Sequence, residues 1–494
     1  MTWREYHEYS KHSVEKLRRT RHYLDWANMP DPFRHYEGVP LLDLPADPPA
    51  PEIPTIEVVA GKAGTTLARD GAAFLSQLMF YSAAISASKR VPSTGSTYAL
   101  RVNPSSGNLH PTEFHFCPRG LIGWPDGLYH YRPSSHMAEQ RALGDFCRKL
   151  VTTDSPLVFV LTSIVWREAW KYKDRSYRYC LHDIGHAWQA LALAARAMGC
   201  ESFAVGQFED DKIAEICLLN EDEWPMLIVQ LNGSSRSSIP QDLPAPGERH
   251  LLGGQPNRLS EEQISYPSIE KIHASTKLLV EPAPPDVGRR PGRCGENALP
   301  QPVSTNRTFG EVVRTRRSAL DFRGGNESIS LSQLATLLAS TREPLFSDFT
   351  ARPWVQLYLY VHRVDGLAPG VYRYWPENEE LELIKAGDQR LIAAALSLGQ
   401  DLAGNACVAF SMIGDFESAT RAFGDRGYRY VHFEAGALGQ RMYLSAEALE
   451  LRATGIGAFF DEEVHRYLSL SPKQGQVVYH FAIGYPVHDP RLEA

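Results

Sequence analysis

The sequence has no CxxC pair, no long apolar run and no surplus of basic charge. Its seven cysteines, Cys117, Cys147, Cys180, Cys200, Cys217, Cys294 and Cys407, are scattered and odd in number. That argues against a disulfide framework or a zinc knuckle, so they are expected to be reduced packing residues and no metal site is expected. Lys and Arg total 51 against 58 acids, a formal net charge of −7. Without a basic surplus there is no electrostatic case for nucleic acid or an anionic membrane, and the expected partners are small molecules or peptides. The opening MTWREYHEYSKHSVEKLRRTRHYLDW is charged and never continuously apolar. This excludes a signal peptide or membrane span there and makes the cytoplasm the expected location. What is present is 43% hydrophobic content over 494 residues, enough for two or three domains with ordinary cores.

Residues 39–60 and roughly 233–305 are broken by Pro, Gly and Ser, as in IPQDLPAPGERH and VEPAPPDVGRRPGRCGENALPQP, and read as connectors. The rest divides into an N-terminal extension (1–60), a first body (61–235), a linker (236–304) and a second body (305–494). The two bodies are copies. RSYRY at Arg175 and RGYRY at Arg426 are offset by 251, and the same offset pairs Gly185 with Gly436, Gln189 with Gln440, Gly206 with Gly457 and Asp210 with Asp461. LSQL at Leu75 and at Leu331, and GLYHYRP at Gly127 and GVYRYWP at Gly370, extend the match upstream. A period this long is a domain duplication. Each copy passes through strand-like segments and a hairpin to a helix that is apolar nearly all round, over 183–199 and 435–451, which must be buried against its twin. The expected class is α+β: mixed sheets flanked by helices, with two fused domains packed as an internal pseudo-dimer.

Four segments are candidates for chemistry. RVNPSSGNLHP, from Arg101, gathers turn formers and hydroxyls where main-chain amides can approach a planar ligand, although an ordinary turn before a strand looks the same. RTRRSALDF places Arg316, Arg317 and Ser318 at the end of a short helical run, a fork of donors suited to phosphate or a solvated cluster. ATGIGAFFDEE offers glycine amides to a cofactor, or is simply a helix end followed by a strand. WREAWKYKDRSYRY puts Lys171 and Tyr172 among aromatics; a lysine desolvated there can act as a base, whereas the plain alternative is a solvated loop. The second copy reads FESATRAFGDRGYRY and lacks both.

Taken together, PSSGNLHP, RRS, GIGAFF and the KYxxRxYRY segment resemble the nitroreductase superfamily, in its SagB-type or azoline dehydrogenase branch. The resemblance covers nearly the whole chain, including YHEYSKHS and NRLSEEQISYPSIEKIH. It implies FMN at the interface between domains. Arg316 and Arg317 would hold the phosphate, Ser318 the ribityl or pyrimidine end, and Gly455, Ile456 and Gly457 would offer amides toward N5. Pro104, Ser105, Ser106, Gly107 and Asn108 would meet the ring from the other domain, with Arg491 as a further phosphate contact. The PSSGN loop exists only in the first copy, because LFSDFTARPW stands at its place in the second; RRS exists only in the second, where the first has Ala60 and Gly61. One complete FMN site is therefore expected, with its pseudo-symmetric counterpart empty. One departure is Leu320, where the family usually has a basic residue; Arg323 is the candidate substitute.

The resemblance implies oxidation of a thiazoline or oxazoline in a peptide to the azole. Lys171 and Tyr172 would remove the proton and orient the substrate, and molecular oxygen would accept the electrons. No sizeable leader-binding extension precedes residue 61, so recognition is expected to involve a separate cyclodehydratase partner; further dimerisation of the fused chain is left open. The rival readings are an NAD(P)H-dependent nitro or quinone reductase and a non-catalytic scaffold subunit of a peptide-modifying complex.

Overall fold

The computed structural model describes residues 1–19, 23–91, 95–233, 250–280, 297–350 and 352–492; Cys294 lies outside them. The other six cysteines are free and buried. Each copy is built on one sheet with the same strand order. In the first copy the strands lie in space as 250–251, 137–143, 127–132, 112–118, 157–163, 224–233 and 200–205. In the second they lie as 297–298, 380–386, 370–375, 355–361, 408–414, 476–484 and 452–456. Ladders inside both sheets are antiparallel, and parallel pairing enters at the margins, through the bridges Ala204–Ser347 and Ser318–Ala453 and a two-residue pair at 329–330 and 364–365. Central strands such as Leu157–Ser163 and Val408–Gly414 are buried at every position, which requires cover on both faces and explains their continuous apolar character.

Two long helices, Ser176–Ala197 and Gly427–Ala448, cross at the centre. They start earlier than the apolar pattern predicts, because the arginines of RSYRY and RGYRY are buried rather than solvated. Arg175 and Arg178 reach Asp461 of the other copy at 3.0 and 2.8 Å, while Arg426 and Arg429 reach Asp210 at 2.7 Å each. The crossing needs glycine. A Cβ on Gly185 would lie 2.1 Å from the Phe433 carbonyl oxygen, and one on Gly436 would lie 2.1 Å from that of His182. One hydrophobic cluster runs from Trp3 to Ile483 and draws on both copies, so the halves share a core.

Part of the stretch predicted as connector is packed. Pro267–Lys277 is a helix that buries Ile269, Ile272, His273 and Thr276, spaced as one helical face. Its counterpart is the N-terminal helix Trp3–Ser10, which buries Trp3, Tyr6, His7 and Ser10. The first caps the Arg426–Asp210 cluster through the Thr276 carbonyl; the second caps the Arg175–Asp461 cluster through the Ser10 carbonyl. Lys277 pairs with Asp211, and Lys11 pairs with Glu462 at 2.6 Å, the same positions in the two copies. The duplication therefore includes these helices. Among the described residues no helix is long and apolar enough to cross a membrane.

Candidate functional site

Thr308 and Glu311 form a reciprocal cap that fixes the start of the helix Phe309–Thr315, and the helix ends by delivering Arg316, Arg317 and Ser318. Ser318 bridges to Ala453, and the Thr454 hydroxyl donates to the Ala319 carbonyl at 2.9 Å. The RRS turn is thus tied to the strand Arg452–Ile456 that leads into Gly457. Opposite it, from the first copy, lies the loop after the hairpin 85–90 and 97–101. The two meet around a cavity of about 160 Å³ lined by Lys89, Leu100, Arg101, Asn103, Pro104, Ser105, Asn108, His110, Arg316, Arg317 and Ser318.

The cavity lining carries four cations and no carboxylate. Arg316 is buried, donates from Nε to the Val102 carbonyl at 3.0 Å and from Nη2 to that of Arg101 at 3.2 Å, and leaves Nη1 without a partner among the described residues. Arg317 donates to the Ser86 carbonyl at 2.7 Å. Burial, aggravated by Arg316 and Arg452, pulls its guanidinium down to about 10. A bound anion would relieve both costs.

The PSSGN loop is held from behind. Asp183 accepts from the Ser106 amide and hydroxyl at 3.2 Å each, the Ser105 hydroxyl accepts from the His110 amide at 2.8 Å, and the Asn108 side chain donates to the Ala99 carbonyl at 3.0 Å. Asn108 therefore braces its own loop. Gly107 has φ of +61°, and a Cβ there would lie 2.6 Å from the Tyr172 hydroxyl and 3.1 Å from Lys171 Nζ. Lys171 and Tyr172 end the helix Val165–Tyr172, so the segment is helical rather than a solvated loop. Burial lowers the Lys171 pKa, with Glu168 opposing, and raises that of Tyr172. The Tyr172 ring meets Tyr179 edge-on at 4.6 Å, and Tyr179 in turn faces Gly457, where a Cβ would lie 2.3 Å from its ring.

Three expectations are adjusted. The Gly455 amide donates to the Tyr443 hydroxyl at 2.8 Å, and that hydroxyl also meets Ser318 Oγ at 2.9 Å. Gly455 is thereby a strut, and Tyr443 is a residue that the apolar pattern of its helix concealed. Arg491 is ion-paired with Asp489 at 2.8 Å, which also holds Lys89 at 2.9 Å, so it stands one residue removed from the cavity lining. Arg323 is exposed, bonded to Glu327 and the Pro486 carbonyl, and does not line the cavity; Lys89 and Arg101 supply the additional cations.

The pseudo-symmetric location is filled by the chain itself. Asp348 accepts from the Gly206 and Gln207 amides at 2.7 and 3.1 Å, the counterparts of Gly457 and Ala458. Phe349 stacks on Tyr430 at 4.3 Å over Gly206. Where the arginine pair would stand, a Cβ on Gly61 would lie 2.9 Å from the Glu343 carboxylate. That carboxylate, paired with Arg196 at 3.4 Å, takes the place of the arginine pair.

Residues 82–233 and 313–485 match the Nitroreductase family. The chain belongs to that family and carries its domain twice. A crystal structure from Anabaena variabilis assigned as a nitroreductase superposes with a TM-score of 0.78 at 26% identity, covering 98% of this chain and 99% of that one. Trifolitoxin operon protein TfxC of Rhizobium leguminosarum bv. trifolii is 35% identical over 117 residues, 23% of this chain and 33% of that protein. Microcin B17-processing protein McbC of Escherichia coli is 30% identical over 146 residues, 27% of this chain and 54% of that protein. The chain spans between 33% and 59% of the length of the curated relatives it matches.

Proposed function

We propose that this nitroreductase-family oxidoreductase binds one FMN per chain and dehydrogenates azoline rings in a peptide to azoles, with molecular oxygen as electron acceptor. The observation that carries the reading is the approach of Lys171 and Tyr172, present in the first copy alone, to Gly107 of a loop that shares a cavity with Arg316 and Arg317 of the second. The similarity to a microcin-processing protein and a trifolitoxin operon protein supports a peptide substrate and the SagB-type branch.

The residues fit the cofactor: a carboxylate-free cavity with an unpartnered Arg316 Nη1 suits the phosphate. Arg316 and Arg317 would hold that phosphate, with Arg491 acting through Asp489 and Lys89. Ser318 would meet the ribityl or pyrimidine end. Ile456 and Gly457 would face the ring, and Pro104 to Asn108 would cover it from the first copy. The chemistry such a flavin supplies when bound is acceptance of a hydride. Lys171, held by burial toward its neutral form, removes the ring proton, and Tyr172 orients the heterocycle. A cyclodehydratase partner would supply the azoline, in the cytoplasm.

The test is mass loss of two hydrogens from a thiazoline or oxazoline peptide incubated with flavin-loaded protein. Lys171→Ala should lower turnover by roughly 10²-fold or more while FMN stays bound. Loss of flavin from that variant would instead make Lys171 a cofactor residue. Rapid flavin bleaching by NADPH, with no azoline oxidation, would favour a nitro or quinone reductase.

A further inference from the structure

Glu168 lies one helical turn before Lys171, is fully buried, and neither of its carboxylate oxygens has a hydrogen-bond partner among the described residues. The Ser105 hydroxyl, which accepts from the His110 amide, turns its donor side toward Glu168 and is the one neighbour that eases its charge besides Lys171. A buried carboxyl left in this state costs the fold stability and calls for a reason.

The duplication supplies a control. At the offset of 251 the second copy has Ala419 at this place, also fully buried, within the equivalent helix Phe416–Phe423. The fold therefore does not need the carboxyl. Asp183 behaves differently. Its counterpart Glu434 is also acidic and performs the same task, accepting from the Trp354 and Val355 amides at 2.9 Å while Asp183 accepts from Ser106. Loop-bracing carboxylates are shared between the copies, whereas Glu168, Lys171 and Tyr172 are replaced together, by Ala419, Ala422 and Phe423.

We propose that Glu168 is a positioning residue for Lys171, a proton store that empties when the amine takes a proton from the substrate. The inference rests on the reading of Lys171 as base. In the state that accepts a proton the pair holds one proton, on the Glu168 carboxyl, and Lys171 is a neutral amine. Lys171 takes the proton from the ring carbon and becomes an ammonium. Glu168 then releases its own proton to solvent, and the remaining carboxylate faces the ammonium. Return of the ammonium proton to Glu168 restores the starting state.

The surroundings suit that exchange. The titratable groups facing Glu168 are Lys171 and Tyr172 on its own helix and Cys180 and Asp183 on the first long helix. Burial, reinforced by Asp183, raises the Glu168 pKa well above the carboxylate range, and burial raises Asp183 to about 7.

Two measurements on flavin-loaded protein test the proposal. In an Asp183→Asn background, which removes the half-protonated Asp183, infrared spectra at neutral pH should show a protonated carboxyl component that is lost on adding Glu168→Gln; an unchanged spectrum would overturn the proposal without any substrate. With an azoline peptide, Glu168→Gln should reduce its flavin in the first turnover at a rate within about twofold of wild type, yet turn over in steady state at least about tenfold more slowly. Formate should restore Glu168→Ala, which has the side chain already tolerated at Ala419. Wild-type steady-state rates in both variants would also overturn it. If the wild-type protein leaves azolines untouched, the azoline reading fails while the infrared result still decides the state of Glu168.

Discussion

At the scale of the residue, the site is an arrangement of unmatched charge. Among the described residues Arg316 and Arg317 have carbonyl partners but no bonded carboxylate, and Arg316 keeps a buried donor free, whereas Arg491 is already matched to Asp489. The two classes predict different outcomes. Arg316→Ala or Arg317→Ala should weaken FMN binding by about tenfold or more, as expected for a charge-assisted contact of about 1.5–3 kcal/mol; Arg491→Ala should change it by no more than about threefold, because its charge is already met by Asp489. Fluorescence titration of the apoprotein with FMN reads both. These candidates were legible in the sequence because turn formers, paired arginines and a lysine among aromatics are local patterns. Tyr443 and Glu168 were not legible. Each occupies a helix position whose spacing matches that of a core residue, and only the neighbour brought by tertiary structure, the Gly455 amide for Tyr443 and Asp183 for Glu168, distinguishes it.

At the scale of the element, the two long helices carry the assembly. Gly185 and Gly436 let main chain approach main chain, and an added methyl has no flexible neighbour to displace. Gly185→Ala should destabilise the protein by at least about 1–3 kcal/mol, the usual range for overpacking a core, read as a lower denaturant midpoint. Gly123→Ala, where nothing lies within 4 Å of the added carbon, is the control, although its φ of +71° carries a smaller strain cost. The duplication and the helix pair followed from the repeat and from apolar periodicity. The starts of the long helices did not, because RSYRY reads as a charged surface until Asp461 is placed beside it. Nor did the helix Pro267–Lys277, since its flanks are rich in Pro and Gly. The signal that could have found it is HEYSK from His7 set against HASTK from His273.

At the scale of the whole molecule, duplication has been followed by division of labour. One interface keeps a cationic cavity and a lysine, while the other has Asp348, Phe349 and Glu343 in the corresponding places. Both interfaces retain the arginine–aspartate clusters, which makes those structural. Although burial alone would raise it, Arg175 and Arg178 hold the Asp461 carboxyl below the usual range. Its stabilisation is present above the unfolded-state value near 4 and is lost as pH falls below that. Asp461→Asn should therefore cost about 3–5 kcal/mol at neutral pH and flatten the acid side of the stability curve, measured by denaturant titration across pH. A variant as stable as wild type at neutral pH would show that the cluster does not hold the copies together.

The central claim is one composite flavin site per fused chain, and the most direct measurement is the visible spectrum of purified protein with the released flavin identified and counted. The account predicts FMN at one per chain. Two per chain would contradict the closure of the second interface by Asp348 and Phe349, and none, even after incubation with FMN, would contradict the cofactor assignment and leave a scaffold.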